Sequence, residues 1–424
     1  MANDVKKQVN LIAKESLRIL ENTLTMTKKV HVDYEKEFDK NINGYKTGDT
    51  ITIKRPADFE VTDGATLSKQ DVVEGSTSIT IDKQKHIGVE FTAKELTLDI
   101  NESGIRERVL KPAMIQLANK VDMDIMNLYS SVPNWSGTPG QVIDSFQDFG
   151  KGPERMDELA IPQDARCSVL SPADHWGLLG SQTSLYMGDV AKSAYRMAKL
   201  GDLGGVETYM SQNVPTHTVG VATGTPLVNG GSQAVAYTAV KDSMSQSLVT
   251  DGWTNSTTGI LKAGDVITIA NVYAVNPVTK AKLPFLRQFA VTADADSGAS
   301  TGPATLTITP AIITSGSQQT CFVGSGSSSA AHPADNSAIT VMGSSNTGYR
   351  QNMAFHKNAF AFVSAPLAIP PAVNNGSRQS FKGINLRLIP YYDQDTDKAG
   401  WRYDILYGVK AIDPRLAVRM SGTA

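Results

Sequence analysis

Residues 213 to 345 constrain the fold of this chain more than any other stretch: they hold only eleven charged residues in 133 positions, and no glutamate occurs after Glu207. Ser, Thr, Gly, Ala and Val dominate here. Apolar and polar residues alternate in DVITIANVYAV (Asp265 to Val275), RQFAVTA (Arg287 to Ala293) and ATLTITP (Ala304 to Pro310). A period of two belongs to strands with one buried face. Short strands punctuated by Gly, Pro and Asn predict a small all-β, barrel-like domain. GSGSSSAAHPADNS (Gly324 to Ser337) reads as a flexible loop. The flanking sequence is of mixed character, and 424 residues suffice for two or three domains. The simplest account is an α+β domain interrupted by a β insert, because insertion at a surface loop costs little closure entropy.

Before the insert, Val5, Val9, Ile12, Leu17, Leu20 and Leu24 recur at spacings near three and four, predicting an amphipathic helix from residue 3 to about 26. From Lys46 to Thr92 the period changes to two. Ile51 and Ile53 share one face of TGDTITIK, Ile79 and Ile81 one face of STSITID, and HIGVEFT follows. Polar, Gly-containing sequence from Pro56 to Gly75 separates them. A long antiparallel ribbon of this kind is marginal alone and leans on something else. Leu110, Met114, Leu117, Val121, Ile125 and Leu128 predict a helix over about 108–130, with Pro112 in its first turn and Pro133 as its stop. Pro153 opens a further helix, ARCSVL (165–170) is a buried strand, Ser171 caps a helix with Pro172 and Asp174, residues 188–199 form another helix, and Val206 to Met210 a strand. Beyond residue 346, QNMAFHKNAFAFV suggests helix or strand, while FKGINLRLIPYYD and WRYDILYGVKAIDP read as strands.

The chemistry of known reaction centres is missing from the pattern. No phosphate-binding loop of the G-x-x-x-x-G-K-[ST] type and no G-x-S-x-G elbow occurs. LGDLGG (200–205) lacks dinucleotide spacing, so its glycines serve a turn. The six histidines form no pair with metal-ligand spacing. Ser171, Asp174 and His175 superficially suggest a triad, but a helix cap explains the first two. Asp393, Asp395 and Asp397 lack the Gly and distal Glu of a calcium loop and read as a solvated turn. No catalytic, cofactor or metal residue is therefore assigned, and the chain reads as a non-enzyme. A formal net charge of −2 argues against a dedicated nucleic-acid reader. Two distant cysteines, no signal-peptide pattern and no apolar run of membrane length point to a reducing cytoplasm as the place of synthesis.

Taken in order, LANKVDMDI, ARCSVLSPADHWGLL, GGVETYMSQNVPTHTVG, AFHKNAFAFVSAPL and INLRLIPYYDQDTDKAGWRYDILYGVKAIDPRLAVR resemble the coat proteins of short-tailed phages of the Lederbergvirus type. LKAGDVITIANVYAVNPVTK with RQFAVTAD resembles the domain inserted in that group. The resemblance runs over nearly the whole chain. It implies the Hong Kong 97-like capsid fold, with residues 1–45 as N-terminal arm, 46–92 as E-loop ribbon, and 93–164 as peripheral domain with the spine helix. Residues 165–212 would form the first part of the axial domain, 213–345 the inserted β domain, and 346–424 the axial and peripheral return.

The resemblance further implies a major capsid protein that self-assembles through hexamers and pentamers into an icosahedral procapsid and expanded head. Scaffolding protein and portal are its implied partners. It would enclose double-stranded DNA without reading its sequence, use no cofactor and no membrane, and reside in the virion after assembly in the bacterial cytoplasm. Val5, Val9, Ile12 and Leu20 of the arm, Ile51, Ile53, Ile79 and Ile81 of the ribbon, and Asp251 and Trp253 of the insert are the candidate subunit-interface residues. One departure stands out: the loop that in this group reaches a neighbouring capsomer corresponds to KDSMSQSLVTDGWTNSTTG, where only Lys241, Asp242 and Asp251 are charged. Trp253 is equally readable as core. An encapsulin-type compartment shell stays open as the alternative. An enzyme with a β accessory domain and a β-rich adhesion protein fit less well.

Overall fold

The computed structural model describes residues 2–32, 41–42, 45–46, 50–61, 65, 69–92, 109–182, 201–324, 330–371 and 376–423. The helix expected over 188–199 lies outside them. The chain divides into two compact units, one of residues 1–52, 78–126 and 360–410, the other of residues 53–77, 127–359 and 411–424. Helix and sheet are mixed in both, as the α+β expectation required.

In the first unit, helix α1 (Ala2–Thr23) packs on helix α2 (Lys111–Met126) and on strands Ser377–Phe381 and Ile384–Asp393. The packing follows from spacing. Ala13, Leu17, Leu20 and Leu24 step by four, three and four, and all are buried; on α2, Met114, Leu117, Val121 and Ile125 step by three, four and four and are buried too. Helix α2 stops at Met126, sooner than its pattern suggested, because the chain tightens into a 3-10 turn at Asn127–Ser131. Asp122 of α2 ties down the end of α1: it accepts from Thr25 N (2.7 Å), Thr27 N (3.1 Å) and Thr27 Oγ1 (2.7 Å). The sheet is centred on the long strand Lys398–Ala411, which pairs with Ile384–Asp393 from Arg387↔Asp404 to Asp393↔Lys398. It also pairs with Phe360–Ala365 and with Lys83–Thr92, the latter antiparallel over ten residues from Thr92↔Lys398 to Lys83↔Tyr407. HIGVEFT thus pairs with this sheet and not with Thr50–Lys54 or Ser76–Thr80. Buried Asp404 sits between Arg387 (2.7 Å) and Arg402 (2.9 Å) on this sheet.

The second unit contains two sheets. The six-stranded one runs Asn134–Ser136, Ala417–Met420, Asn352–His356, Arg166–Leu170, Val206–Met210, Asp202–Leu203, with parallel and antiparallel pairs mixed. Helices α3 (Phe146–Glu158) and α4 (Pro172–Gln182) share its core through Phe149, Met156, Leu178 and Leu179 against Leu170, Val206, Ala354 and Val418. Pro153 lies inside α3 rather than at its start. The cap is Ser145, which accepts from Asp148 N (3.1 Å) and donates to Asp148 Oδ2 (2.8 Å). Burial of Phe149, Pro153 and Met156 offsets the missing backbone donor.

The other sheet is antiparallel throughout, in the order Gly224–Val228, Gln246–Trp253, Ala304–Thr309, Lys282–Val291, Val266–Val275, Cys321–Val323, with Ile339–Val341 also on Val266–Val275. Leu227 bridges Ala338, and Val228 N donates to Ser337 O (2.9 Å). The first strand therefore returns to the last, and the sheet closes into a barrel with no free edge there. Val266–Val275 serves two partners on one side because it bulges at Asn271, whose φ is 62°. Where the barrel joins the rest of the chain, Thr216–Thr218 pairs antiparallel with Gly348–Arg350, so both ends of the insert leave side by side.

Candidate functional site

The residues that superficially suggested a triad are structural. Ser171 Oγ caps α4 by accepting from Asp174 N (3.4 Å), while the Asp174 carboxylate accepts from Ile143 N (2.9 Å), Ser171 Oγ (2.5 Å) and Asn352 Nδ2 (2.9 Å), the last fastening the helix to the six-stranded sheet. Asp393 closes the turn between its strands by accepting from Asp395 N (3.1 Å) and Thr396 Oγ1 (2.7 Å), and the Thr396 bond holds its carboxyl below the usual range. Among the described residues, no group of three or more His, Cys, Asp or Glu stands close enough to hold a metal ion, and no helix is long and apolar enough to cross a membrane.

The junction between barrel and six-stranded sheet holds the most elaborate polar arrangement. His217 bonds Asp265 Oδ1 (2.8 Å) through Nε2 and Tyr129 Oη (3.0 Å) through Nδ1. Asp265 Oδ2 also accepts from Lys262 N (2.7 Å) and Gly220 N (3.1 Å). Arg419, fully buried, donates to Gly264 O (2.7 Å) and lies 5.2 Å from the Tyr129 ring and 5.5 Å from Trp135. Burial pulls its guanidinium down to about 10. The Arg419 bond to Gly264 runs from a strand of the six-stranded sheet to the barrel, so the cluster helps to fix the barrel in place.

The surface is the remaining candidate. Of the residues proposed from sequence, Val5 and Val9 lie on α1, but their side chains are outside the description. Ile12, Ile51 and Ile81 are half-buried. Leu20, Ile53, Ile79 and Trp253 are buried inside the subunit, Leu20 in the core of the first unit and Trp253 in the barrel core, where its Nε1 donates to Thr250 Oγ1 (2.9 Å). Their apolar surface is already spent within one chain. Asp251 is half-buried, and its Oδ1 is buried without a hydrogen-bond partner. The ribbon strands Thr50–Lys54 and Ser76–Thr80 do pair with each other. Exposed apolar residues such as Val278 (73%) and Trp176 (57%) are scattered elsewhere, and three sit on the loop between these two strands: Phe59 (58% exposed), Val61 (93%) and Val72 (66%). Sequence reasoning passed over them as part of a polar stretch. Their signal was available: three large apolar residues in a segment with no alternation to bury them.

The family described as P22 coat protein, gene protein 5, matches residues 1–422. The chain belongs to the P22 coat protein family. It is 21% identical, over the full length of both chains, to the "Major capsid protein" of Acyrthosiphon pisum secondary endosymbiont phage 1. Among solved structures it is similar to one from Mycobacterium phage Che8 (14% identity, 93% of this chain and 90% of that one, TM-score 0.45) and to the capsid of Ralstonia phage GP4 (8% identity, 89% and 85%, TM-score 0.42). A coat protein acts by presenting surface to other subunits. The buried polar clusters of this one hold its own fold together, and Phe59, Val61 and Val72 are among the apolar residues left on its surface.

Proposed function

We propose that this coat protein is the major capsid subunit of a short-tailed phage of the Lederbergvirus type, with the Hong Kong 97-like arrangement. It assembles through hexamers and pentamers, with scaffolding protein and portal, into the shell that encloses double-stranded DNA. Residues 1–45 serve as N-terminal arm, 46–92 as E-loop, 93–164 as peripheral domain, 165–212 and 346–424 as axial domain with its return, and 213–345 as inserted domain. Residues 93–108 and 183–200 of this division lie outside the described structure.

The observation that carries the reading is the display of Phe59, Val61 and Val72 on the loop between the ribbon strands. Three large apolar side chains in water favour any arrangement that covers them, at about 1.5–3 kcal/mol for each one fully buried. A sister subunit is the cover that a closed shell supplies, and symmetry repeats the contact around it. Electron microscopy of the purified full-length protein, with and without co-expressed scaffold, tests the proposal. Closed particles of uniform size are the expected result; a monomer that forms none under either condition overturns it.

A further inference from the structure

The loop that carries Phe59, Val61 and Val72 is fastened at its root to the inserted domain of its own subunit. Ser76 donates twice to Asp242 Oδ1, from its backbone N (2.8 Å) and from its Oγ (2.8 Å). On the opposite side of the root, Arg55 Nη1 reaches the Lys241 carbonyl (3.4 Å), and Arg55 N donates to Gly75 O (2.8 Å). Both limbs of the loop therefore converge on the turn that follows the short helix Tyr237–Val240. Gly75 is buried there, and a Cβ on it would stand 2.2 Å from Lys241 O and 3.0 Å from Tyr237 Oη. Only glycine lets the two backbones approach so closely. Farther out, a second part of the barrel faces the same loop: with its amide oriented so that both groups are satisfied, Gln318 donates to Asp58 Oδ2 (3.0 Å) and accepts from Asp58 N (2.9 Å). Within the loop, Lys54 pairs with Glu74 (2.6 Å) and Glu60 N donates to Gln70 (3.0 Å). Between and beyond these ties Phe59, Val61 and Val72 are exposed.

We infer that the inserted domain is the anchor that presets this loop for docking on a sister subunit, with Asp242 as its positioning residue. The identity of the docking partner rests on the shell function proposed above; the anchoring does not. An unheld loop gives up conformational freedom when it docks, and one fixed beforehand gives up less, which strengthens the same contact. Asp242 is one of three charged residues in the stretch that the family resemblance assigns to contact with a neighbouring capsomer, and here its carboxylate is committed to its own chain. The two Ser76 bonds also hold that carboxyl below its ordinary range, as expected when the charged form is the one bonded.

Amide hydrogen exchange on the unassembled full-length subunit tests this, comparing the natural protein with Asp242→Ala and with Asp242→Asn, which keeps an acceptor oxygen. The amides of residues 55–61 and 69–77 exchange about tenfold faster in Asp242→Ala, and Asp242→Asn restores most of the protection. Barrel strands such as Val266–Val275 exchange alike in all three, which separates loss of the anchor from loss of the fold. Asp242→Ala also assembles more slowly at equal subunit concentration. Equal loop exchange in all three proteins, or faster assembly of Asp242→Ala, overturns the inference. If even the natural protein forms no shells, the shell function falls, while the exchange comparison still decides the anchor.

Discussion

Cys321 shows what burial does to one group. Its thiol is sealed in the barrel core, and burial pushes it up to about 11 from an ordinary 9.0. Between those two values the unfolded chain loses a proton that the folded chain keeps. Stability from this group is therefore full below pH 9 and is lost progressively up to about pH 11, a change of about 2–3 kcal/mol. Urea unfolding at pH 8 and pH 11 should show a larger loss for the natural protein than for Cys321→Val. Asp122 is the opposite design, a buried carboxylate kept because three donors need it. Burial raises its pKa even though Thr25 and Thr27 bond the charged form. Asp122→Ala strands those donors and should cost about 3 kcal/mol in urea unfolding.

At the scale of elements, the barrel is the part best placed to stand alone. Its strands close on themselves through Leu227 and Ala338, and its core of Val228, Leu248, Trp253, Ile267, Phe289, Leu306 and Ile308 is contributed entirely from within 224–341. Its two ends are held together by Thr216–Thr218 and Gly348–Arg350. A fragment of residues 213–351 should unfold in one cooperative urea transition, and Trp253→Ala should lower its stability by about 3–5 kcal/mol. A broad, non-cooperative transition would show that the barrel borrows stability from its surroundings. The ribbon is the contrasting element. Two strands of five residues cannot hold a fold alone, and Ile53 and Ile79 find cover only because other parts of the chain provide it.

At the scale of the whole molecule, the loop tip separates stability from assembly. Phe59→Ser with Val61→Ser removes apolar surface that is mostly exposed on the unassembled subunit. Its melting should move by no more than about 0.5 kcal/mol equivalent, while shell yield, read by light scattering and microscopy, falls at least tenfold. A variant that melts early, or that assembles normally, would remove the loop from the subunit interface.

Periodicity and end signals were enough to place α1, α2, the Ser171-capped α4 and most barrel strands, because each depends on residues within a turn or a hairpin of one another. The same local logic missed α3: Pro153 looks like a start, yet Ser145 eight residues earlier caps the helix. Tertiary structure alone decided which faces were already covered. Leu20, Ile79 and Trp253 carry the same apolar pattern as an interface residue, and only their distant neighbours make them core. Likewise Lys83–Thr92 reads as a continuation of the ribbon, but its hydrogen bonds go to Lys398–Ala411, about three hundred residues away. Spacing encodes which side of an element is apolar. What lies against that side is a long-range choice, made by the packing of the whole chain and open to a sister chain only where that packing leaves it bare.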